Sequence, residues 1–232
     1  MLQTIDWIFF DLGSTLIDET KADARRIREM IAGTNISNEA YCKKRFEMIR
    51  RGLPGDEAAI AYFQLKKAPW HSEEEVPYPD AAPTLNELKR RGYRLGVIAN
   101  QNPGTEQRLA GWNLITCFSQ IVASAETGVA KPDPAIFRYA LQQAHCSAQN
   151  AAMIGDRLDN DIAPANRLGM HTVRILRALV STTRNMARIM PTLWNSGTAG
   201  LLRLPRILLC GLPLIPGLMK PIPKLSASSG MS

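Results

Sequence analysis

Cysteine and histidine are scarce in this chain. Its 232 residues include four cysteines and three histidines. The cysteines, Cys42, Cys117, Cys146 and Cys210, are widely spaced, and no two of them form a Cys-x-x-Cys pair. This pattern excludes a zinc-finger motif and a disulfide scaffold, and it indicates a reducing compartment.

The sequence also lacks a long apolar run. A membrane-spanning helix needs about 20 apolar residues, whereas the apolar stretch 207–219 is shorter and contains Pro213 and Pro216. The first residues enter a short strand pattern that carries Asp6 and Asp11, which is unlike the basic and apolar start of a signal peptide. We therefore expect a cytoplasmic protein without a transmembrane segment.

Acidic residues are absent from the C-terminal part of the chain. All 21 lie at or before Asp161, whereas residues 162–232 contain nine Lys or Arg, so the net charge of +7 comes from this part. Three interpretations of the basic, Pro- and Leu-rich tail, residues 179–232, stay open: a segment at a membrane surface, a nucleic-acid contact, or a frameshifted end of the gene. Because the tail begins abruptly and has no nucleic-acid-binding module, we favour the third. We expect no specific nucleic-acid partner and little order beyond about residue 180.

The remaining sequence has the pattern of an α/β protein. An apolar strand at residues 7–12 is followed by three amphipathic helices, at 20–33, 38–51 and 56–68, with no strand between them. Helices at 84–93, 105–111, 134–144 and 160–168 then alternate with strands at 94–100, 119–124, 151–155 and 171–176. This alternation predicts a doubly wound parallel sheet. Residues 1–16 and 78–178 would form the core domain, and residues 17–77 a helical insertion after the first strand.

Polar side chains follow the predicted strands where each one ends. Asp11 and Asn100 lie at the ends of the first and second strands, and Asp156 lies at the end of the fourth. Lys131 precedes the helix after the third strand, and Asp161 lies just beyond Asp156. Ligands of open parallel sheets bind at the carboxyl ends of the strands, so these residues are expected to converge. Three clustered carboxylates, Asp11, Asp156 and Asp161, repel one another unless a cation lies among them, and oxygen ligands favour Mg²⁺. A nearby lysine, and glycines that allow close approach of the backbone, would suit a phosphate.

Four segments resemble the haloacid dehalogenase superfamily, in its magnesium-dependent phosphatase branch. They are FFDLGSTLID at 9–18, VIANQ at 97–101, KPDP at 131–134 and GDRLDND at 155–161. The resemblance covers roughly residues 5–178 and implies a Rossmann-like core. The inserted helices resemble the small cap that many members carry after the first strand.

The resemblance also implies a reaction and its residues. Asp11 would be the nucleophile that forms an aspartyl-phosphate, and Lys131 would hold Asp11 and the transferring phosphoryl group. Mg²⁺ would be held by Asp11, Asp156, Asp161 and the backbone carbonyl of Gly13. From their positions in the sequence, we also expect the phosphate to contact Gly13, Ser14 and Thr15, which follow Asp11 closely, and the amide of Asn100 at the end of the second strand. The implied function is Mg²⁺-dependent hydrolysis of a small phosphorylated metabolite.

Two departures from the family pattern affect this interpretation. Gly13 stands where the phosphatases usually have a second Asp, which protonates the leaving group, and such an acid contributes typically 10²–10⁴-fold in rate. Ala99 stands where a Ser or Thr hydroxyl usually binds phosphate. Two alternatives therefore stay open. One is a degenerate member that binds a phosphorylated ligand or a partner with little turnover. The other is a metal-free 2-haloacid dehalogenase, which the carboxylate cluster disfavours.

Overall fold

The computed structural model describes residues 5–176, so the predicted tail, residues 179–232, lies outside the described residues. Its centre is a five-stranded parallel sheet in the order β5-β4-β1-β6-β7. Its strands are β1 (Trp7–Phe10), β4 (Arg94–Ala99), β5 (Gln120–Ala123), β6 (Ala151–Gly155) and β7 (His171–Arg174). Two further short strands, β2 (Ile17–Asp18) and β3 (Val76–Pro77), lie outside this sheet. The helices are α1 (Thr20–Ile31), α2 (Asn38–Arg50), α3 (Gly55–Tyr62), α4 (Ala81–Arg90), α5 (Thr105–Gly111), α6 (Ser124–Thr127), α7 (Pro134–Gln143) and α8 (Ala163–Arg167).

Helices cover both faces of the parallel sheet. All of β1 is buried because this strand lies in the middle. On one face Ile8 and Phe10 share an apolar cluster with α4 and α5, and on the other Trp7 and Phe9 share one with α7 and α8. A strand buried on both faces has a continuous apolar sequence, as β1 does. The arrangement confirms the predicted doubly wound α/β fold.

The register of the sheet aligns the carboxyl ends of three neighbouring strands. Phe10, the last residue of β1, pairs with Val97 of β4 and with Ile154 of β6. The carboxyl ends of these three neighbouring strands therefore lie side by side. The residues that follow them, Asp11, Asn100 and Asp156, start from the same edge.

Three helices, α1 to α3, are inserted between β2 and β3. These two strands form an antiparallel ribbon in which Ile17 pairs with Pro77. The inserted helices have their own small core of Ile27, Met30, Tyr41 and Ala59. The sequence did not predict the ribbon, because two-residue strands are too short to show an alternating pattern.

Three helices differ clearly from their predicted bounds, and one of them, α8, covers Ala163–Arg167 instead of 160–168. The third was expected to reach residue 68, but α3 ends at Tyr62. There Gln64 adopts a left-handed conformation (φ 53°) and the N–H of Leu65 bonds back to the carbonyl of Ile60. The fourth begins earlier than expected, at Ala81, because Pro83 lies in its first turn, where a missing N–H costs no helical hydrogen bond. Across residues 5–176, no helix combines the length and the apolar character that a membrane crossing needs.

Candidate functional site

Three carboxylates meet at the carboxyl edge of the sheet. Asp11 follows β1, Asp156 follows β6, and Asp161 lies in a wide helical turn, Leu158–Ile162, that leads into α8. Each offers an oxygen, and these oxygens lie within 4.8 Å of one another. Asp11 and Asp161 are buried and Asp156 is partly buried. The predicted convergence of these three residues is present in the fold.

Lys131 lies between two of the carboxylates. Its Nζ donates to Asp11 Oδ1 at 2.7 Å and to Asp161 Oδ1 at 2.6 Å, and its side chain is only 2% exposed. Burial alone would lower the pKa of Lys131, but the charges of Asp11 and Asp161 outweigh burial and raise it. A charged Lys131 therefore balances one of the three carboxylates, and the cluster keeps an excess of negative charge.

Burial and the neighbouring negative charges both raise the pKa of the carboxyl groups in this cluster. Burial, followed by the charges of Asp11 and Asp161, raises the pKa of Asp156 to about 7. Burial and then Asp11 also raise the pKa of Asp161. Ionised carboxylates at this distance are unfavourable until a cation joins them. An excess of anionic oxygen donors fits a hard divalent ion such as Mg²⁺.

Asp161 is fixed by more than Lys131. Its Oδ2 accepts the backbone N–H of Arg157 at 2.9 Å, within the same turn. Its side chain also packs against the backbone at Gly155, where an added Cβ would lie 2.5 Å from the carboxyl carbon. Gly155 is therefore required for Asp161 to reach the cluster.

Asn100 has a contact that the sequence did not predict. Its Nδ2 donates to the carbonyl of Lys131 at 2.8 Å, and its Oδ1 accepts the N–H of Lys131 at 2.7 Å. The amide was expected to bind phosphate directly; in the fold, both of its polar groups are bonded to the backbone of Lys131. These two bonds fix the backbone of Lys131 to Asn100.

The other predicted phosphate ligands lie in a tight turn after β1. The carbonyl of Leu12 accepts the N–H groups of Thr15, Leu16 and Ile17 at 3.2, 2.9 and 2.9 Å, and Ser14 adopts a left-handed conformation (φ 54°). The hydroxyl of Thr15 is buried without a hydrogen-bond partner among the described residues. The turn therefore keeps Gly13, Ser14 and Thr15 beside Asp11.

Glu19 is a site residue that the sequence analysis missed. It stands at the N-cap position of α1, yet its side chain makes no capping hydrogen bond. Its carboxyl instead lies over Gly13, where an added Cβ would be 2.5 Å from Oε2 and 2.6 Å from Cδ. Burial, followed by the negative charge of Asp11, raises the pKa of Glu19 well above its ordinary value. No local sequence signal marks Glu19, because its approach to Gly13 depends on how the turn folds.

Known proteins resemble this chain in sequence and in fold. A family model described as haloacid dehalogenase-like hydrolase matches residues 5–169. The chain is 34% identical over 199 residues to a glyceraldehyde 3-phosphate phosphatase of Methanopyrus kandleri, an alignment that covers 73% of this chain and 83% of the relative. It is 32% identical over 203 residues to a protein of the same name in Pyrococcus abyssi, covering 72% and 79%.

Solved structures share the fold at lower identity. The HAD-hydrolase YfnB from Bacillus subtilis, solved bound to magnesium, superposes with a TM-score of 0.56 at 20% identity, covering 74% of this chain and 87% of that one. The family match and the structural likeness agree with the resemblance carried by the four sequence motifs.

Proposed function

The chain belongs to the haloacid dehalogenase-like hydrolases, and on this premise we propose that it hydrolyses small phosphate monoesters, with Mg²⁺, through an aspartyl-phosphate on Asp11. The observation that carries the proposal is the contact of Lys131 with both Asp11 and Asp161, next to Asp156. This arrangement provides a nucleophile, a fixed positive charge and a set of anionic oxygen ligands within one small site.

Asp11 is well placed to attack phosphorus. Lys131 holds its Oδ1, which orients the carboxylate and leaves the second oxygen as the attacking atom. As the Asp11 oxygen bonds to phosphorus, the ester P–O bond breaks and its electron pair leaves with the alcohol oxygen. Water then hydrolyses the aspartyl-phosphate, which releases inorganic phosphate and restores Asp11.

The positive charges of the site stabilise the phosphoryl group during transfer. Lys131 would contact phosphoryl oxygens as well as Asp11. Mg²⁺, held by Asp11, Asp156, Asp161 and the carbonyl of Gly13, would supply further neutralisation of charge on those oxygens. The same carboxylates would oppose an anionic substrate in a site without metal, which argues against the haloacid dehalogenase alternative.

The names of the chain's relatives support a choice of substrate to test. Both relatives described above are named glyceraldehyde 3-phosphate phosphatases. A triose phosphate is therefore the first natural substrate to test, together with p-nitrophenyl phosphate, whose leaving group needs no protonation.

The test is phosphate release by the wild type and by Asp11→Asn, each with Mg²⁺ and with EDTA. We expect release that requires both Asp11 and Mg²⁺. Asp159→Asn is the matched control. Asp159 lies in the turn that carries Asp161, but its carboxylate is paired with Arg157 at 2.6 Å and is half exposed. Equal rates for the wild type and Asp11→Asn on every substrate would refute hydrolysis and favour a phospho-ligand-binding role.

A further inference from the structure

We infer that Glu19 is the proton donor to the leaving group, in place of the acid that is missing at Gly13. This inference rests on the proposed hydrolysis and adds a catalytic residue to it. Three observations support it: the position of the Glu19 carboxyl over Gly13, the absence of a capping bond from Glu19 to its own helix, and the backbone hydrogen bonds of the turn.

The first observation is spatial. Phosphatases of this kind carry their acid two residues after the nucleophile, and a side chain at position 13 would leave the backbone directly toward Glu19. An added Cβ would overlap both carboxyl oxygens of Glu19 and lie 2.6 Å from its Cδ. The carboxyl of Glu19 therefore fills the space through which a side chain at position 13 would have to extend.

The second observation is that Glu19 has no competing task. It occupies the N-cap position of α1 without capping the helix, and the first-turn N–H of Thr20 is instead accepted by Asp18 Oδ1 at 2.9 Å. Among residues 5–176, no Lys, Arg or His forms an ion pair with Glu19, and its side-chain contact is a long one, 3.5 Å from Ser14 Oγ. The side chain is thus turned away from its own helix and toward the nucleophile turn.

The third observation is the fold of the turn itself. The carbonyl of Leu12 accepts three successive N–H groups, and the N–H of Ser14 bonds to the carbonyl of Ile17 at 2.8 Å. These bonds return the chain at Ile17 to the level of Gly13, with which it forms a bridge. Glu19 follows two residues later, so backbone contacts hold its position in the chain beside the turn that carries Gly13.

The chemical step balances with these groups. As Asp11 attacks phosphorus, the P–O bond to the leaving group breaks, and the departing oxygen takes the proton of the Glu19 carboxyl. The resulting Glu19 carboxylate can then accept a proton from the water that hydrolyses the aspartyl-phosphate, which restores the starting state.

Leaving-group dependence tests the assignment. We expect Glu19→Gln, which keeps the size of the side chain, to lower kcat/KM for glyceraldehyde 3-phosphate by about 100-fold. For p-nitrophenyl phosphate the loss should be at least about tenfold smaller, because that leaving group departs unprotonated. Glu29→Gln is the matched control: Glu29 lies ten residues further along the same helix, and its carboxyl is bonded to His71 Nε2 at 2.7 Å. It should affect the two substrates equally.

Exchange of the acid between the two positions gives an independent arm. Glu19→Ala opens the space over Gly13, and adding Gly13→Asp should raise kcat/KM for glyceraldehyde 3-phosphate at least about tenfold above Glu19→Ala alone. Equal losses on the two substrates in Glu19→Gln, or no gain in the double variant, would overturn the assignment while Asp11-dependent hydrolysis stands. If wild-type hydrolysis does not require Asp11, the proposed function fails and the role of Glu19 fails with it.

Discussion

Asn100 and Lys131 exchange two hydrogen bonds across two loops of the sheet edge. The Asn100 amide donates to the Lys131 carbonyl at 2.8 Å and accepts the Lys131 N–H at 2.7 Å. The backbone of Lys131 is therefore fixed to the end of β4, while its side chain reaches Asp11 at the end of β1. The motif at 97–101 therefore contacts the motif at 131–134 through Asn100, and Lys131 in turn contacts Asp11 in the motif at 9–18.

This relationship predicts the effect of Asn100→Ala. Both backbone groups of Lys131 lose their partner, so we expect a loss of about 1–3 kcal/mol in the free energy of unfolding and a lower kcat. Urea unfolding and phosphate release would measure the two effects. Asn102→Ala, an exposed position two residues later, is the control. An unchanged kcat in Asn100→Ala would contradict the positioning role.

Lys131→Met should destabilise the metal-free protein. It removes the cation between Asp11 and Asp161 and leaves two buried carboxylates without their counter-charge, which costs about 3–5 kcal/mol. Added Mg²⁺ should recover more stability in the variant than in the wild type, because it neutralises the same carboxylates.

Urea unfolding with EDTA and with Mg²⁺ measures both quantities for Lys131. Lys89→Met serves as the comparison, since the Nζ of Lys89 donates to the carbonyl of Thr116 at an exposed site. A loss in Lys131→Met no larger than the roughly 1 kcal/mol of a surface pair would show that the buried pairs do not form.

The fold could be predicted because its signals are local. Apolar runs marked the buried strands, and capping residues marked the helix starts. Ser37 accepts the N–H of Ala40, and Asp133, the residue before Pro134, accepts the N–H of Ala135. The clustering of the carboxylates followed from topology alone, because residues after parallel strands meet at one edge.

The contacts that could not be predicted depend on the packed fold. The approach of Glu19 to Gly13 depends on a turn held by backbone hydrogen bonds. The contact of Asn100 with Lys131 joins loops 31 positions apart. The pair of His71 with Glu29 likewise joins residues 42 positions apart. Sequence spacing carries no information about such pairs.

Gly155→Ala should displace the side chain of Asp161 from the carboxylate cluster. The added methyl would overlap the Asp161 side chain, lying 2.5 Å from its Cγ and 2.6 Å from its Cβ. Asp161 can move only by losing Lys131 or the N–H of Arg157. We expect a loss of about 1–3 kcal/mol in stability, as for other overpacked positions, and reduced Mg²⁺-dependent activity.

Gly111→Ala is the matched control for this substitution. An added Cβ at Gly111, the last residue of α5, meets no atom within 4 Å. The substitution there should leave stability equal or slightly higher, because alanine loses less conformational entropy on folding. Gly155→Ala with the stability and activity of Gly111→Ala would show that Asp161 can relax away from Gly155.

His71 should titrate above its ordinary pKa. Its Nε2 lies 2.7 Å from Glu29 Oε2 and its Nδ1 lies 3.2 Å from Glu73 Oε1. The hydrogen bond to Glu29 is the main cause that raises the pKa of His71, and Arg25 opposes it. A raised pKa in the folded state means that the pair contributes stability below about pH 6.5, the ordinary value, and that this contribution is lost as the pH rises through the folded pKa.

NMR titration of the imidazole, assigned with His71→Gln, should give a value above 6.5 that falls in Glu29→Gln. It should fall less in Glu73→Gln, because the contact with Glu73 is longer and more exposed. An unchanged pKa in Glu29→Gln would show that α1 and the segment before β3 are not joined by this pair.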